Sequence, residues 1–407
     1  MATQISGIEE TTPSLSGRAW LTLFAAFMVL TFAFATALFC WPALYRPLSK
    51  AFGWNFASTN LGGSIVLFLI GVLSPAIGFL ADRFTPKAVI LAGTSTIALA
   101  LFLLSTIHSL TQYYAYCFLL GLGVSAVSIV PCSVLIGPYF SRWRGTVVGV
   151  VNAGIGLGGF LAPRVSASQI VQRGIPGTFL VLAASMAIPF LAVLFLVRSR
   201  KRAAVAATNR MPSVGELARM PMFWLFGLAL FLSAHAMLGV QQNLISSMTG
   251  AHVLPKEAAF VLAIALAAAS PGKIISGIIA DKMSARAGMI CSVFCVAAGI
   301  AALLNTSPHS NGMYYVAVIF GLGYGGVFNA VPTLVFERFG THQVGKSLGL
   351  FYLFFGLGTA SGGELAGHLF DLTRRWDVPF RVDLALACVS LLILLVSGKL
   401  TAKQARS

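Results

Sequence analysis

Charge is what this chain has least of. Only 9% of its 407 residues are charged and 57% are hydrophobic, a balance that excludes a water-soluble globular protein of this length. The scarcity is lopsided, with eleven Asp and Glu against 27 Lys and Arg. Cysteine is also thin. Cys40, Cys117, Cys132, Cys291, Cys295 and Cys388 all fall in apolar segments, at spacings that suit neither a zinc site nor a disulfide framework, and read as small core residues. No Ser-His-Asp set, metal-ligand cluster or phosphate loop has a workable arrangement, which argues against an enzyme; the scattered Gly pairs follow helix-packing spacing instead. No cofactor and no metal are expected, and the lack of a soluble signalling domain argues against a receptor. A signal peptide is not evident either. Met1 to Gly17 is polar and carries Glu9 and Glu10, and the apolar run behind it is too long for a signal-peptide core, so residues 1–18 are expected to form a short cytosolic tail.

What the chain does have is long hydrophobic runs. Twelve can be placed, at about 19 to 44, 56 to 80, 88 to 106, 112 to 137, 145 to 163, 176 to 197, 222 to 247, 258 to 280, 287 to 304, 312 to 335, 346 to 369 and 380 to 398, and they read as helices 1 to 12 spanning a bilayer. With both termini in the cytosol, the cytosolic segments hold 18 Lys and Arg and the opposite side eight, the bias of the positive-inside rule. The net charge of +16 is thereby accounted for without nucleic acid. The longest cytosolic segment, Arg198 to Pro221, is charged and poor in large apolar residues. It divides the chain into a six-helix bundle over 19–197, a linker over 198–221, a second six-helix bundle over 222–398 and a cytosolic tail over 399–407. The two bundles repeat. Gly78-Phe-Leu-Ala-Asp82-Arg83 recurs as Gly277-Ile-Ile-Ala-Asp281-Lys282, Gly121-Leu-Gly123 as Gly321-Leu-Gly323, and Gly145-Thr-Val-Val-Gly149 as Gly345-Lys-Ser-Leu-Gly349, at offsets of 199, 200 and 200 residues. A parallel repeat of six helices is the build of rocking transporters with a central site.

One charge interrupts the apolar runs. Ala258 to Ala280 is 23 residues with a single charged side chain, Lys273. An ammonium near the middle of a spanning helix costs at least ~2.5 kcal/mol on insertion scales. Asp281 lies eight positions on, roughly 12 Å along a helix, so snorkelling to the interface is a stretch. Ser270, Lys273 and Gly277 share a face that should look into a polar cavity, and the preceding Pro271-Gly272 pair is expected to loosen the backbone. Two roles stand: capture of an anion, or a structural pairing with a carboxylate on another helix.

Gly78 to Lys87, GFLADRFTPK, resembles the loop motif between helices 2 and 3 of the major facilitator superfamily, with Thr85 and Pro86 where Gly and Arg are usual. The resemblance implies an all-α membrane fold of twelve helices in two pseudo-symmetric halves. Asp82, with Arg83 and Lys87 beyond it, is expected to form an ion-pair latch with the helix that starts near Arg144, and Asp281 repeats the arrangement; Asp82, Arg83, Arg144 and Asp281 are the gating candidates. Within the superfamily, Pro47 to Trp54, Pro138 to Gly145 with the small residues that follow, and Gly362 to Phe380 are similar to the monocarboxylate transporter and oxalate/formate branch. That branch implies a helix 8 cation binding the substrate carboxylate. Lys273-Ile-Ile-Ser-Gly277 falls on the position, with Lys for the usual Arg, which trades a bidentate fork for a point charge. The Asp that some members carry one turn earlier is Ala269 here, and the second cation of the oxalate exchangers, inside helix 11, gives way to Phe351, Tyr352, Phe354 and Phe355.

Polar stripes at helical spacing mark further candidates. His235, Gly239, Gln242 and Ser246 on helix 7 read as cavity lining; Asn60, Ser64, Gly71 and Ser74 on helix 2 read equally as packing. Gly145, Gly149, Asn152, Gly156 and Gly159 on helix 5 read as a close-packing seam. Aromatics gather on helices 1, 10 and 11, and Tyr324 with Asn329 offers hydrogen bonds inside an apolar span. The substrate-binding set is therefore Lys273, His235, Gln242, Tyr324, Asn329, Phe351, Phe355 and Tyr45, an aromatic-walled pocket for a carboxylate with an apolar tail. His235 and Glu364 are the candidate proton carriers; Glu364 stands where the branch usually has Pro, and a rim pairing with Arg46 or Arg164 is its alternative. The expected protein is a monomeric secondary transporter of a bacterial inner membrane, moving a small organic monocarboxylate with a proton. A carboxylate exchanger and an exporter of amphiphiles remain open.

Overall fold

The computed structural model describes residues 17–54, 56–140, 143–198, 216, 219–339 and 345–404. The N-terminal tail and most of the linker over 198–221 lie outside the described residues. Everything regular among the described residues is helical. Among the described residues nine stretches are long and apolar enough to cross a membrane, and the longest of them, Arg144–Leu196, is two helices, since Gly174 breaks it at φ 69° and ψ −175°. Ser58–Val72 and Ser74–Arg83 form a further span bent by 53°, and Gly345–Thr373 completes the twelve. The chain is an integral membrane protein of twelve helices.

Helix 1 runs from Gly17 to Phe52 as an α-helix, a π-helical turn at Ala35–Phe39 and a second α-segment, Trp41–Phe52. Its apolar run stops near 44, but the amphipathic turns beyond stay helical until Gly53, which ends them at φ 67° where only glycine is unstrained. Helix 2 is Phe56–Val72 with Ser74–Arg83, and Pro75 in the first turn of the second segment accounts for the bend. Helices 3 and 4 are Pro86–Leu104 and Leu110–Ala126, the latter continued by Ile129–Ile136; Thr85 and Ser109 cap their N-termini through their hydroxyls. Helix 5 covers 144–173 and helix 6 covers 175–196. Helices 7 to 12 are Pro221–Gly250, Pro255–Lys282, Ala285–Asn305, Gly312–Phe339, Gly345–Thr373 and Asp377–Gln404. Helix 8 is unbroken through Pro271 and Gly272, against the expected loosening. Gly272 instead admits a neighbour: a methyl there would lie 2.3 Å from the Leu322 carbonyl oxygen of helix 10.

The sequence repeat returns as repeated contacts. Thr85 caps helix 3 and Ser284 caps helix 9. Lys87 Nζ donates to the carbonyls of Leu194 and Val197 at the end of helix 6, and Arg286, 199 positions later, donates to those of Leu394 and Leu395 within helix 12, which runs on to Gln404. At the end of helix 6 the cation satisfies orphan acceptors and opposes the negative dipole end. Of the cysteines, Cys291 and Cys388 are exposed rather than buried in the core, at positions where a small apolar side chain can face lipid.

Candidate substrate site and latch

Helices 2 and 8 meet helices 11 and 5 across the seam between the first six helices and the last six. Close approach rests on glycine. A methyl on Gly149 would sit 2.5 Å from the carbonyl oxygen of Lys273, and one on Gly349 would sit 2.5 Å from that of Ser74. Ser74 and Lys273 are 199 positions apart, so both crossings are built alike, and helix 8 differs by carrying an ammonium where helix 2 carries a hydroxyl.

Below each crossing lies a carboxylate. Asp281, near the end of helix 8, accepts from the backbone N–H groups of Gly145 and Thr146, each at 2.7 Å, and from the Thr146 hydroxyl at 2.7 Å. Asp82, at the end of helix 2, accepts from the Gly345 N–H at 3.1 Å. Both therefore sit on the N-terminus of a helix from the other half of the chain, where orphan N–H groups and the positive dipole end hold an anion. The expectation set Asp82 against the helix beginning near Arg144; the backbone contact it makes is with helix 11, while Asp281 is the carboxylate that engages helix 5. Arg144 donates its Nε to the Phe140 carbonyl at 2.7 Å, and Arg83 lies exposed beside the Phe84 ring. A cavity of about 190 Å³ opens beside the Asp281 contact, with Arg144, Thr333 and Glu337 in its wall.

Lys273 lies about 12 Å further along helix 8 from Asp281. It is 3% exposed. Its ammonium donates to the backbone carbonyl of Asn152 on helix 5 at 3.0 Å and stands 5.6 Å from the centre of the Phe328 ring. Among the described residues no carboxylate lies within ion-pair distance of it. Asn152 in turn donates its side-chain amide to Asn329 Oδ1 at 3.3 Å, and Asn329 donates to the Gly145 carbonyl at 3.3 Å. Phe328 packs at a tilt against Tyr324 at 5.2 Å and edge-to-face against Phe355 at 4.9 Å, and Tyr352 stands 6.0 Å from Phe355 with its buried hydroxyl unpartnered among the described residues. One cation, two amides and four rings from helices 5, 8, 10 and 11 thus converge. Lys273, Tyr324, Asn329 and Phe355 come together here. Asn152 joins them from the seam that looked like packing alone; its signal was an amide among glycines.

The other candidates lie elsewhere. Tyr45 stacks on Trp41 at 5.9 Å and presses its hydroxyl on Gly63, between helices 1 and 2. Phe351 packs on Phe223 of helix 7 at 5.2 Å. Gln242 is exposed and leans on Gly363 of helix 11. Glu364 is exposed, and among the described residues it has no ion pair with Arg46 or Arg164; Arg164 covers the Phe160 ring at 4.2 Å instead. His235 is buried facing helices 11 and 12, with Nδ1 2.8 Å from Ser361 Oγ and Nε2 3.7 Å from Asp383. Asp383 was missed altogether by the sequence patterns.

A twelve-helix membrane protein with doubled carboxylate contacts at one end and a lone cation at mid-depth has the build of an alternating-access carrier. The family model for the Major Facilitator Superfamily matches residues 20–363 and 239–406, and the chain belongs to that superfamily. It is 24% identical over 376 residues to the agnestins efflux protein of Paecilomyces divaricatus, spanning 89% of this chain and 84% of that one. It is 23% identical to monocarboxylate transporter 13 of Rattus norvegicus (92% and 88% covered) and 21% identical to the oxalate:formate antiporter of Oxalobacter formigenes (90% and 88% covered). Among solved structures, the crystal structure of FucP, a transporter of the same superfamily in the outward conformation, aligns with a TM-score of 0.73 at 15% identity over 92% of this chain and 98% of that one.

Proposed function

We propose that the protein is a secondary transporter of a small organic monocarboxylate, moved with a proton by alternating access in a bacterial inner membrane, with both termini cytosolic and the monomer as the working unit. The observation that carries this reading is Lys273, a buried ammonium held by one backbone carbonyl at the seam between the halves. Such a charge is uncompensated until an anion arrives. A carboxylate displacing the Asn152 carbonyl gains a charge-assisted bond, and the rings of Tyr324, Phe328 and Phe355 accept an apolar tail. The two monocarboxylate and oxalate:formate relatives support this substrate class. The efflux relative keeps a second reading in play, export of an amphiphile through the same aromatic pocket without use of Lys273. Purified protein in liposomes, offered radiolabelled acetate, lactate and benzoate, is expected to exchange at least one of them. No exchange of any carboxylate, together with transport of neutral amphiphiles, would select the export reading.

Each half acts as a body in this mechanism, and the contacts at Asp82 and Asp281 latch the cytosolic end shut. Losing hydrogen bonds to a charged acceptor and a helix cap costs about 1.5–3 kcal/mol at each site. Asp82→Asn with Asp281→Asn is therefore expected to raise the population open at that end by at least about a hundredfold. Maleimide labelling of a cysteine placed at Ala280, in a background without native cysteines, reads this out; labelling as slow as in the parent would remove both carboxylates from the gate.

A further inference from the structure

Helix 12 carries a carboxylate that the substrate site does not use. Asp383 is 1% exposed, six residues into Asp377–Gln404, with Oδ1 3.7 Å from His235 Nε2 and Oδ2 without a hydrogen-bond partner. Gly239, one turn past His235, makes the room: a methyl there would sit 2.5 Å from Oδ2. His235 Nδ1 bonds Ser361 on helix 11 at 2.8 Å, and the Ser361 hydroxyl also reaches the Gly358 carbonyl at 3.0 Å. Since that hydroxyl has one proton to give, its bond to Gly358 leaves it to accept from His235 Nδ1–H, which puts the lone pair of a neutral ring on Nε2, facing Asp383. A proton placed between Nε2 and Oδ1 satisfies both; without it, a carboxylate faces a lone pair in an apolar interior.

Among the described residues, other charged or titratable groups do not compete for this position. Besides His235, helix 7 presents glycine. Helix 9 reaches helix 12 through Arg286, whose bonds end at Leu394 and Leu395, eleven or more residues away. On helix 11, Glu364 and His368 are exposed. Asp377 and Arg381 pair with each other at 3.4 Å on the outer turn of helix 12 itself. Helix 8, packed on helix 7, carries Lys273, committed to Asn152, and helix 10 carries Tyr324, packed at a tilt against Phe328.

Building on the carboxylate reading above, we infer that His235 and Asp383, tied to helix 11 through Ser361, bind the proton that travels with the substrate. The charges balance. In the empty carrier, protonated Lys273 and deprotonated Asp383 sum to zero. A carboxylate at Lys273 adds one negative charge, and one proton between Asp383 and His235 cancels it, so both the loaded and the empty carrier cross without net charge, at one proton per anion. Helix 11 is the physical link. Ser361 lies six residues from Phe355, about 9 Å along the helix, and Phe355 packs on the ring that borders Lys273. The same helix starts at the Asp82 contact.

The test uses full-length wild type and Asp383→Asn in proteoliposomes. Asparagine fixes the site in its uncharged form, so exchange of labelled acid against internal unlabelled acid persists, while accumulation driven by an inward proton gradient falls at least about tenfold, because the empty carrier returns with Lys273 unbalanced. Accumulation equal to wild type in Asp383→Asn overturns the inference. If wild type exchanges no carboxylate, the substrate reading fails by itself, and the proton site is then read by infrared difference spectroscopy of the detergent-solubilised protein across a pH step. A protonated-carboxyl band present in wild type and missing in Asp383→Asn supports the site; the same band in both overturns it. His235→Gln, which keeps a hydrogen-bonding side chain at that position, is expected to shift the pH at which the band appears, and an unshifted band removes His235 from the pair.

Discussion

Lys273→Gln is expected to abolish carboxylate binding without unfolding the protein. The ammonium in the wild type is buried, donates to one backbone carbonyl and has no carboxylate partner among the described residues, so its removal from the empty carrier takes away a desolvated charge rather than an ion pair. Thermal stability should therefore hold or rise. With substrate bound the balance reverses, since the carboxylate is left buried without its counter-charge, at a cost of about 2–5 kcal/mol or roughly 30-fold to several-thousandfold in affinity. Lys273→Arg keeps the charge but spreads it over a planar fork that must fit between Asn152 and the Phe328 ring, and should retain partial transport. Substrate-induced thermal shift and exchange, measured on the same samples, separate the two effects. Normal carboxylate binding by Lys273→Gln would make the lysine structural and favour amphiphile export.

Much of this was legible in the sequence, for physical reasons that differ from residue to residue. The helices were visible because a bilayer demands long apolar runs, and the two-fold repeat because Gly78, Asp82 and Gly145 recur at nearly constant offset with Gly277, Asp281 and Gly345. Lys273 stood out because a cation inside such a run is costly. The partners of these residues were not legible. For Asp82 and Asp281 the side-chain pattern suggested ion pairs and was silent on their bonds to a helix N-terminus, whose backbone amides no such pattern reveals. Asn152 was hidden by glycines whose packing role is also real. Asp383 sits between Arg381 and an apolar run, close enough to the expected start of helix 12 to pass for an interfacial charge; only the helix beginning at Asp377 and the approach of His235 put it inside. The stripe on helix 7 has a real periodicity, and His235, Gly239 and Gln242 on it face helices 11 and 12 rather than Lys273.

The largest conformational effect is expected from two methyl groups. At Gly149 and Gly349 an added methyl meets, at 2.5 Å, the main-chain carbonyl of Lys273 or Ser74, and a carbonyl inside a helix cannot turn away as the end of a side chain can. The helices must separate. Alanine is the better helix former by about 1 kcal/mol, so Gly149→Ala with Gly349→Ala should not weaken helices 5 and 11 themselves; the penalty falls on the state in which the seam is closed. The carrier is then held open at the end of Asp82 and Asp281, with Lys273 pulled from the Asn152 carbonyl and transport lost. Graded controls come from the same fold. Gly156→Ala collides with the hydroxyl of Ser270, which can rotate, and touches that residue's Cβ at an ordinary 3.4 Å, while Gly367→Ala meets nothing within 4 Å, so both should transport like wild type. Labelling of a cysteine at Ala280 should rise at least about tenfold in the double variant and stay low in the controls. If the double variant transports normally and labels no faster, the closed seam is not a state that the working cycle needs.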